Sequence, residues 1–94
     1  MSIAILGGLD RLKSKYERIG KDMGVDIRLF SQRVPDMGKR LSGVNGIVVF
    51  TDTISHPMVS AAARVAKQNN IPVTRSHTSS LSALKRCIAD LALV

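Results

Sequence analysis

Histidine and hydroxyl side chains in this chain cluster just after apolar, strand-like runs. His56 follows the run at residues 46–51, and His77 follows the run at residues 71–75. Imidazoles can transfer protons, coordinate metals or bind anions, and hydroxyl groups can donate hydrogen bonds to a ligand. In an open parallel α/β sheet such loops meet at the carboxyl edge, where these folds place their ligands. The sequence therefore predicts a binding site there, formed by Gly7, Gly8, Asp52, Thr53, Ser55, His56, Ser76, His77 and Ser79.

The strands that would position these residues are predicted at residues 2–6, 25–30, 46–51 and 71–75. In the second strand apolar and charged side chains alternate, which is typical of a half-buried edge position. The third strand holds the densest apolar run of the chain, so we expect it to be covered on both faces.

Four helices are predicted between and after the strands. The first covers residues 10–23 and ends at Gly24, with Leu12, Tyr16, Ile19 and Met23 recurring at helical spacing. A short second helix lies near residues 36–41. Ser55 or His56 begins the third helix, with Pro57 at its first position and its end at residues 69–70. Ser79 or Ser80 begins the fourth, whose apolar stripe is Leu81, Leu84, Ile88 and Leu91.

This alternation predicts the α/β class, a single domain over residues 1–94. We expect a small doubly wound, four-stranded parallel sheet in the order 2-1-3-4, Rossmann- or flavodoxin-like, with helices on both faces. The topological switch then lies between strands one and three. The loop at Gly7 and Gly8 would face the loop at residues 52–56 across that crevice.

Composition restricts the function class. The 94-residue chain is 45% hydrophobic and has no apolar run of about 18 residues, so we expect no membrane partner. Its start shows no basic segment before an apolar one, and its single Cys87 cannot form an internal disulfide. We therefore expect a cytoplasmic protein in which Cys87 is packed rather than reactive.

The charge balance favours an anionic ligand or partner. Lys and Arg total 14 against 7 Asp and Glu, for a net charge of +7. One alternative function is thus an accessory protein that binds nucleic acid or an acidic partner through a basic surface of Arg11, Lys15, Arg18, Lys39 and Arg40. Against it, the bases are not interleaved with aromatic residues, and Glu17 is four residues from both Lys13 and Lys21, as on a solvated helix face.

Gly7 and Gly8 stand where a phosphate cradle would, between a strand and a helix. A tight turn is the simpler interpretation, because the third glycine of a dinucleotide fingerprint and the lysine of a P-loop are both missing. Asp10 also places negative charge nearby. No acidic residue closes strand two in residues 30–33, where a dinucleotide ribose would need one.

The chemistry of Asp52 and the two histidines allows several interpretations. Asp52 ends strand three as a receiver phosphoacceptor does, but the acidic pair for Mg²⁺ is missing. We therefore expect Asp52 to accept backbone hydrogen bonds in the turn or to orient a neighbouring hydroxyl or histidine. His56 and His77 could bind a metal or haem iron, although zinc usually has three protein ligands. A small hydrolase or transferase using either histidine as base is a third function, unsupported by a nucleophile elbow.

The motifs together resemble a bacterial family named domain of unknown function 2325, over about residues 2–90. The resemblance rests on Ile3-Ala4-Ile5-Leu6-Gly7-Gly8, Tyr16, Ile47-Val48-Val49-Phe50-Thr51-Asp52, Ser55-His56 and Ser79-Ser80-Leu81. It implies a small cytosolic α/β protein without an assigned reaction.

The same resemblance implies b-type haem and gas binding in some members, with His56 as the candidate iron ligand. That branch carries a histidine soon after the double glycine and a His-His-Asp-Gly stretch after strand two. This chain has Asp10-Arg11 and Phe30-Ser31-Gln32-Arg33 at those places. Only the Ser55-His56 motif matches.

The residues and the resemblance together predict a non-enzymatic ligand-binding or sensory domain. Its site is the carboxyl edge of the sheet, its ligand a small or anionic molecule. Because small domains bury a smaller fraction of their surface than large ones, we also expect a homodimer. An exposed edge strand or the small residues of helix three would supply the contact.

Overall fold

The fold is a parallel sheet between two layers of helices. The computed structural model describes residues 1–31 and 35–92, so Gln32 and Arg33 of the segment after strand two lie outside the described part. The strands are β1 (Ser2–Leu6), β2 (Asp26–Phe30), β3 (Gly46–Phe50) and β4 (Val73–Ser76). The helices are α1 (Lys13–Asp22), α2 (Met37–Leu41), α3 (His56–Asn69) and α4 (Leu81–Ala92), and a short 3-10 helix (Asp10–Leu12) precedes α1.

The strand order is β2-β1-β3-β4, and every neighbouring pair is parallel. This confirms the predicted α/β class and order. In the centre of the sheet, Ile5 of β1 pairs with Leu29 of β2 and Val48 of β3. The crossing from β2 back over β1 to β3 creates the topological switch between the two central strands.

Alternating side chains of β1 and β3 supply two separate cores. Ile3 and Ile5 face one core, which Tyr16 and Ile19 of α1 and the apolar stripe of α4 complete. Ala4 and Leu6 face the other core, completed by α2 and α3. All five residues of β3 are buried, as its continuous apolar run predicts.

The edge strand β2 keeps one charged row in solvent. Asp26 and Arg28 are exposed, and the Arg28 Nε and Asp26 Oδ2 atoms are 3.9 Å apart. Charged side chains on an edge strand discourage pairing with another sheet. The predicted edge position of this strand is therefore confirmed.

Helix one differs from its prediction. Residues 10–12 form a 3-10 turn, and the α-helix proper begins at Lys13. Met23, expected in the buried stripe, follows the last residue of α1, and 42% of its surface is exposed. The chain turns away at Gly24, so the final residue of the stripe never reaches the sheet.

Strand four begins two residues later than predicted. The Ile71 amide donates to the Ala66 carbonyl oxygen at 2.9 Å and so closes the end of α3. Pro72 has no amide hydrogen for the ladder. Pairing therefore runs from Val73 to Ser76, where Ser76 lies beside Phe50. Among the described residues, no helix is both long and apolar enough to span a lipid bilayer.

Close packing of α1 on β2 depends on Gly20. A Cβ atom added there would lie 2.2 Å from Ile27 Cγ1 and 3.0 Å from the Val25 carbonyl oxygen. Gly38 in α2 is the opposite case, because the nearest atom to its added Cβ is Val65 Cγ2 at 3.8 Å.

We expect Gly20→Ala to lower the free energy of unfolding by about 1–3 kcal/mol, because overpacking outweighs the better helix propensity of alanine. The matched variant Gly38→Ala should raise it by about 0.5–1 kcal/mol, since only the propensity changes there. Urea denaturation of both variants measures these differences. A Gly20→Ala protein as stable as the parent would contradict the packing described for α1.

Candidate functional site

Three loops meet at the carboxyl edge of the sheet. They follow β1, β3 and β4 and contain every residue predicted for the site except two, Ser76, the last residue of β4, and His56, the first residue of α3. Hydrogen bonds join the loops to one another. The Gly8 amide donates to Thr53 Oγ1 at 2.7 Å, and the Thr51 amide donates to the Ser76 carbonyl oxygen at 2.9 Å.

Gly7 lets the first of these loops approach the second. Its φ is +93°, a conformation that side chains other than glycine rarely adopt. A Cβ atom at this position would lie 2.7 Å from Thr53 Oγ1 and 2.9 Å from the Phe50 carbonyl oxygen. The glycine pair therefore serves the contact between two loops of the protein, which agrees with the tight-turn interpretation.

The Gly8 amide, which a phosphate cradle would need free, is bound to Thr53. Asp10 lies at the same edge, where its carboxylate accepts a hydrogen bond from the Ser31 hydroxyl. An anion next to Gly8 would therefore find the Gly8 amide already hydrogen-bonded to Thr53 and the negative charge of Asp10 nearby.

Ser79 is the buried centre of a polar network with Gly8, Thr53, Asp52 and Tyr16, in which Asp52 is exposed and Thr53 half-buried. Only 4% of its surface is exposed. Its hydroxyl donates to Asp52 Oδ1 at 2.6 Å, and its oxygen lies 2.9 Å from Thr53 Oγ1. The Thr53 hydroxyl accepts from the Gly8 amide and has two acceptors within reach of its single proton, Ser79 Oγ and the Phe50 carbonyl oxygen at 3.3 Å. Bonds that end on a charged acceptor are stronger than neutral ones.

Tyr16 attaches this polar network to α1. Its hydroxyl donates to the Ser79 carbonyl oxygen at 2.7 Å and accepts from the Leu9 amide at 3.2 Å. Its ring is fully buried beside Phe50, with ring centroids 5.9 Å apart. The sequence predicted Tyr16 only as a residue of the apolar stripe. The available signal was a tyrosine within an otherwise apolar stripe, because a buried tyrosine hydroxyl needs a hydrogen-bond partner.

The two helix starts differ in how they are capped. The Ser80 hydroxyl accepts from the Ala83 amide at 3.2 Å and so caps α4, leaving Ser79 free for the polar network. Ser55 occupies the cap position of α3, but its side chain makes no capping hydrogen bond. Pro57 lies in the first turn, as predicted. Ser55 and His56 are both exposed at this helix start.

His77 is exposed in the loop after β4, and Ser76 shapes that loop. The Ser76 hydroxyl donates to the Thr78 carbonyl oxygen at 2.9 Å, and the Thr78 amide lies 3.3 Å from the same hydroxyl. Ser76 is only 5% exposed, so it holds the turn. Neither histidine belongs to the polar network.

The surroundings of His56 do not fit a haem group. Haem sites enclose the porphyrin between apolar side chains, whereas His56 and its chain neighbours Ser55 and Pro57 are all exposed. In the part of the chain that the structure describes, no group of three or more His, Cys, Asp or Glu side chains could hold a metal ion.

Cys87 is part of the core beneath β4. Burial raises the pKa of its thiol, partly opposed by a hydrogen bond with Thr74. The neutral thiol is a poor nucleophile. Its surface is only 1% exposed, which matches the expectation of a packed cysteine.

Comparison with known proteins assigns the family. The model of a family described as uncharacterized proteins conserved in bacteria, DUF2325, matches residues 2–91. The chain belongs to the DUF2325 family. This confirms the resemblance that the motifs indicated. No curated protein matches the sequence. The DUF2325 match covers β1 through all but the last residue of α4, and therefore includes the polar network and all three loops.

We expect Ser79→Ala to lower the free energy of unfolding by about 1–3 kcal/mol, because it removes both the hydrogen bond to the Asp52 carboxylate and the contact with Thr53 Oγ1. Ser82→Ala, an exposed change in the same helix, should stay within about 0.5 kcal/mol of the parent. Chemical denaturation distinguishes the two. Equal stability of both variants would show that the polar network does not hold the loops.

Proposed function

We propose that this DUF2325 protein is a non-enzymatic ligand-binding domain that takes a small anionic molecule at the carboxyl edge of its sheet. The observation that carries the proposal is the bonding between the loops after β3 and β4. The Asp52–Ser79 bond at 2.6 Å and the Thr51–Ser76 bond at 2.9 Å fix those loops side by side. His56 and His77 are thus presented on neighbouring, restrained segments.

Restrained loops favour binding because less conformational freedom is lost when a ligand arrives. The start of α3 exposes the Ser55 and His56 side chains to solvent. Exposed Arg75, near the end of β4, adds a positive charge. The net charge of +7 attracts anions to the protein as a whole.

The polar network gives little support to the alternative of a hydrolase. Ser79 is one of two buried serines at this edge, and its proton is directed to Asp52, whereas Ser76 donates to the Thr78 carbonyl oxygen. A serine nucleophile needs its proton taken by a base while its oxygen faces the substrate. Ser79 instead has its oxygen against Thr53.

The nucleic-acid alternative would need its cations on one surface. Lys15 and Arg18 belong to α1, which covers one face of the sheet. Lys39 and Arg40 belong to α2, which covers the opposite face. This separation favours the edge site over a continuous basic footprint.

Titration with inorganic phosphate at constant ionic strength, followed by amide-resolved NMR spectra, tests the proposal. We expect saturable shifts confined to residues 51–58 and 75–80. His56→Ala should weaken phosphate binding by about tenfold or more, equivalent to about 1.4 kcal/mol. It should not unfold the domain, since the side chain is exposed.

Lys21→Ala is the matched control, because it removes a positive charge from the last turn of α1, which packs on the face of the sheet opposite α3. Its phosphate affinity should equal that of the parent. A phosphate affinity unchanged by His56→Ala would exclude His56 from the site. Chemical shifts that spread over all cationic surfaces without saturating would exclude it as well.

We also propose that the protein is a homodimer joined through β4. Ala62 and Ala66, two of the small residues in α3, are buried in the protein's own core and so are not free for a partner. Of the two edge strands, β2 presents the charged pair Asp26 and Arg28, whereas β4 presents Val73, which is 37% exposed. The exposed residues of β4 carry one charge, on Arg75, whereas those of β2 carry two, and an edge strand with fewer charges pairs more readily.

Light scattering after size-exclusion chromatography measures the mass in solution. We expect the parent to elute as a dimer and Val73→Lys as a monomer, because a lysine at the edge opposes strand pairing. Met23→Lys changes another exposed apolar residue and should leave the dimer intact. A monomeric parent, or a dimeric Val73→Lys protein, would refute an interface at β4.

A further inference from the structure

A groove with an apolar floor and a basic rim runs between α1 and α4. This basic groove has a volume of about 420 Å³ and is lined by Lys15, Arg18, Ile19, Asp22, Met23, Leu81 and Lys85. It shares no residue with the carboxyl-edge site. The binding of an anion at that edge therefore does not account for it.

The floor of the basic groove is formed by three apolar side chains from two helices. Ile19 is buried, Leu81 is half-buried, and Met23 leaves 42% of its surface in contact with solvent. An exposed methionine beside other apolar residues is typical of adaptable binding surfaces, because its flexible thioether can fit different partners. The floor thus offers apolar contact area that the domain's own fold leaves uncovered.

The rim of the basic groove has an excess of positive charge. Lys15, Arg18 and Lys85 are exposed there, and Asp22 is the one carboxylate in the lining. Long basic side chains can cover apolar surface with their methylene groups while their charged ends stay in water. Such a rim favours an occupant that is apolar in its centre and acidic at its margins.

We propose that the basic groove docks an acidic amphipathic helix presented by a partner protein. The ten residues of α1 span about 15 Å, which matches two to three turns of an incoming helix. Apolar side chains at helical spacing would occupy the floor, and Asp or Glu residues flanking them would pair with the rim. Binding of a helix in a groove between helices is an established mode of peptide recognition.

The charge of the rim argues against a second copy of this chain as the occupant. A symmetric dimer through the groove would bring together the excess positive charge of two identical rims. Nucleic acid is also a poor occupant. The lining contains no aromatic side chain on which a base could stack, and phosphate groups would make no contact with the apolar floor. A partner helix uses both features.

Fluorescence anisotropy with synthetic peptides of about four helical turns tests this proposal. The peptides share a leucine face at helical spacing and carry Glu, Gln or Lys at all other positions. We expect the Glu peptide to bind the full chain at least about tenfold more tightly than the Lys peptide. Arg18→Glu combined with Lys85→Glu should abolish that preference, and Met23→Glu should weaken binding of the Glu peptide.

Lys39→Glu combined with Arg40→Glu is the matched control, because it changes the net charge equally on the opposite face of the sheet. This variant should bind the Glu peptide at least half as well as the parent. The proposal would be overturned if all three peptides bound equally or if the Glu peptide did not bind. It would also be overturned if both double variants lost affinity for the Glu peptide equally. Displacement of the Glu peptide by duplex DNA, but not by an unlabelled copy of itself, would assign the groove to nucleic acid.

Discussion

The hydrogen bond from the Gly8 amide to the Thr53 hydroxyl, 2.7 Å long, determines how the carboxyl edge is arranged. It draws the loop after β1 against the loop after β3, so closely that a side chain at position 7 would collide with Thr53. Because Thr53 also contacts Ser79, and Ser79 contacts Asp52 and Tyr16, three loops and α1 become one hydrogen-bonded unit. Loss of one member would leave buried polar groups without hydrogen-bond partners, so removal of any one residue weakens the whole unit.

This arrangement separates structural polar residues from those available to a ligand. Ser76 and Ser79 are buried and committed to internal hydrogen bonds. Ser55, His56 and His77 are exposed on the loops that those bonds restrain. Binding sites commonly rely on this division, in which a fixed inner layer orients the groups that make contact. The basic groove on α1 and α4 is a second surface, separate in residues and in chemistry.

Most of the fold followed from local patterns in the sequence. The apolar run of β3, the charged alternation of β2 and the turn residues between elements were sufficient for the class, the strand order and both helical layers. The predictions that were wrong concerned the ends of elements, such as the 3-10 turn before α1 and the late start of β4. Those depend on single hydrogen bonds, such as that from Ile71 to Ala66, which periodicity does not encode.

The candidate site was predictable in place but not in detail. The rule for parallel sheets placed the predicted residues at one edge. That rule did not distinguish Ser79, which joins the polar network, from Ser80, which caps α4. The difference depends on which of the two hydroxyl groups turns inward. Nor did the rule show that the Gly8 amide would be bound by Thr53, or that Met23 would remain at the surface. Each of these depends on contacts between residues distant in sequence.

Native mass spectrometry of the gently purified full chain, with visible absorption recorded alongside, determines whether the carboxyl edge binds a small anionic molecule. We expect one added small mass per protomer, the same in separate preparations, and no Soret band. A spectrum showing only the bare chain, or an added mass accompanied by a Soret band, would contradict the proposed binding.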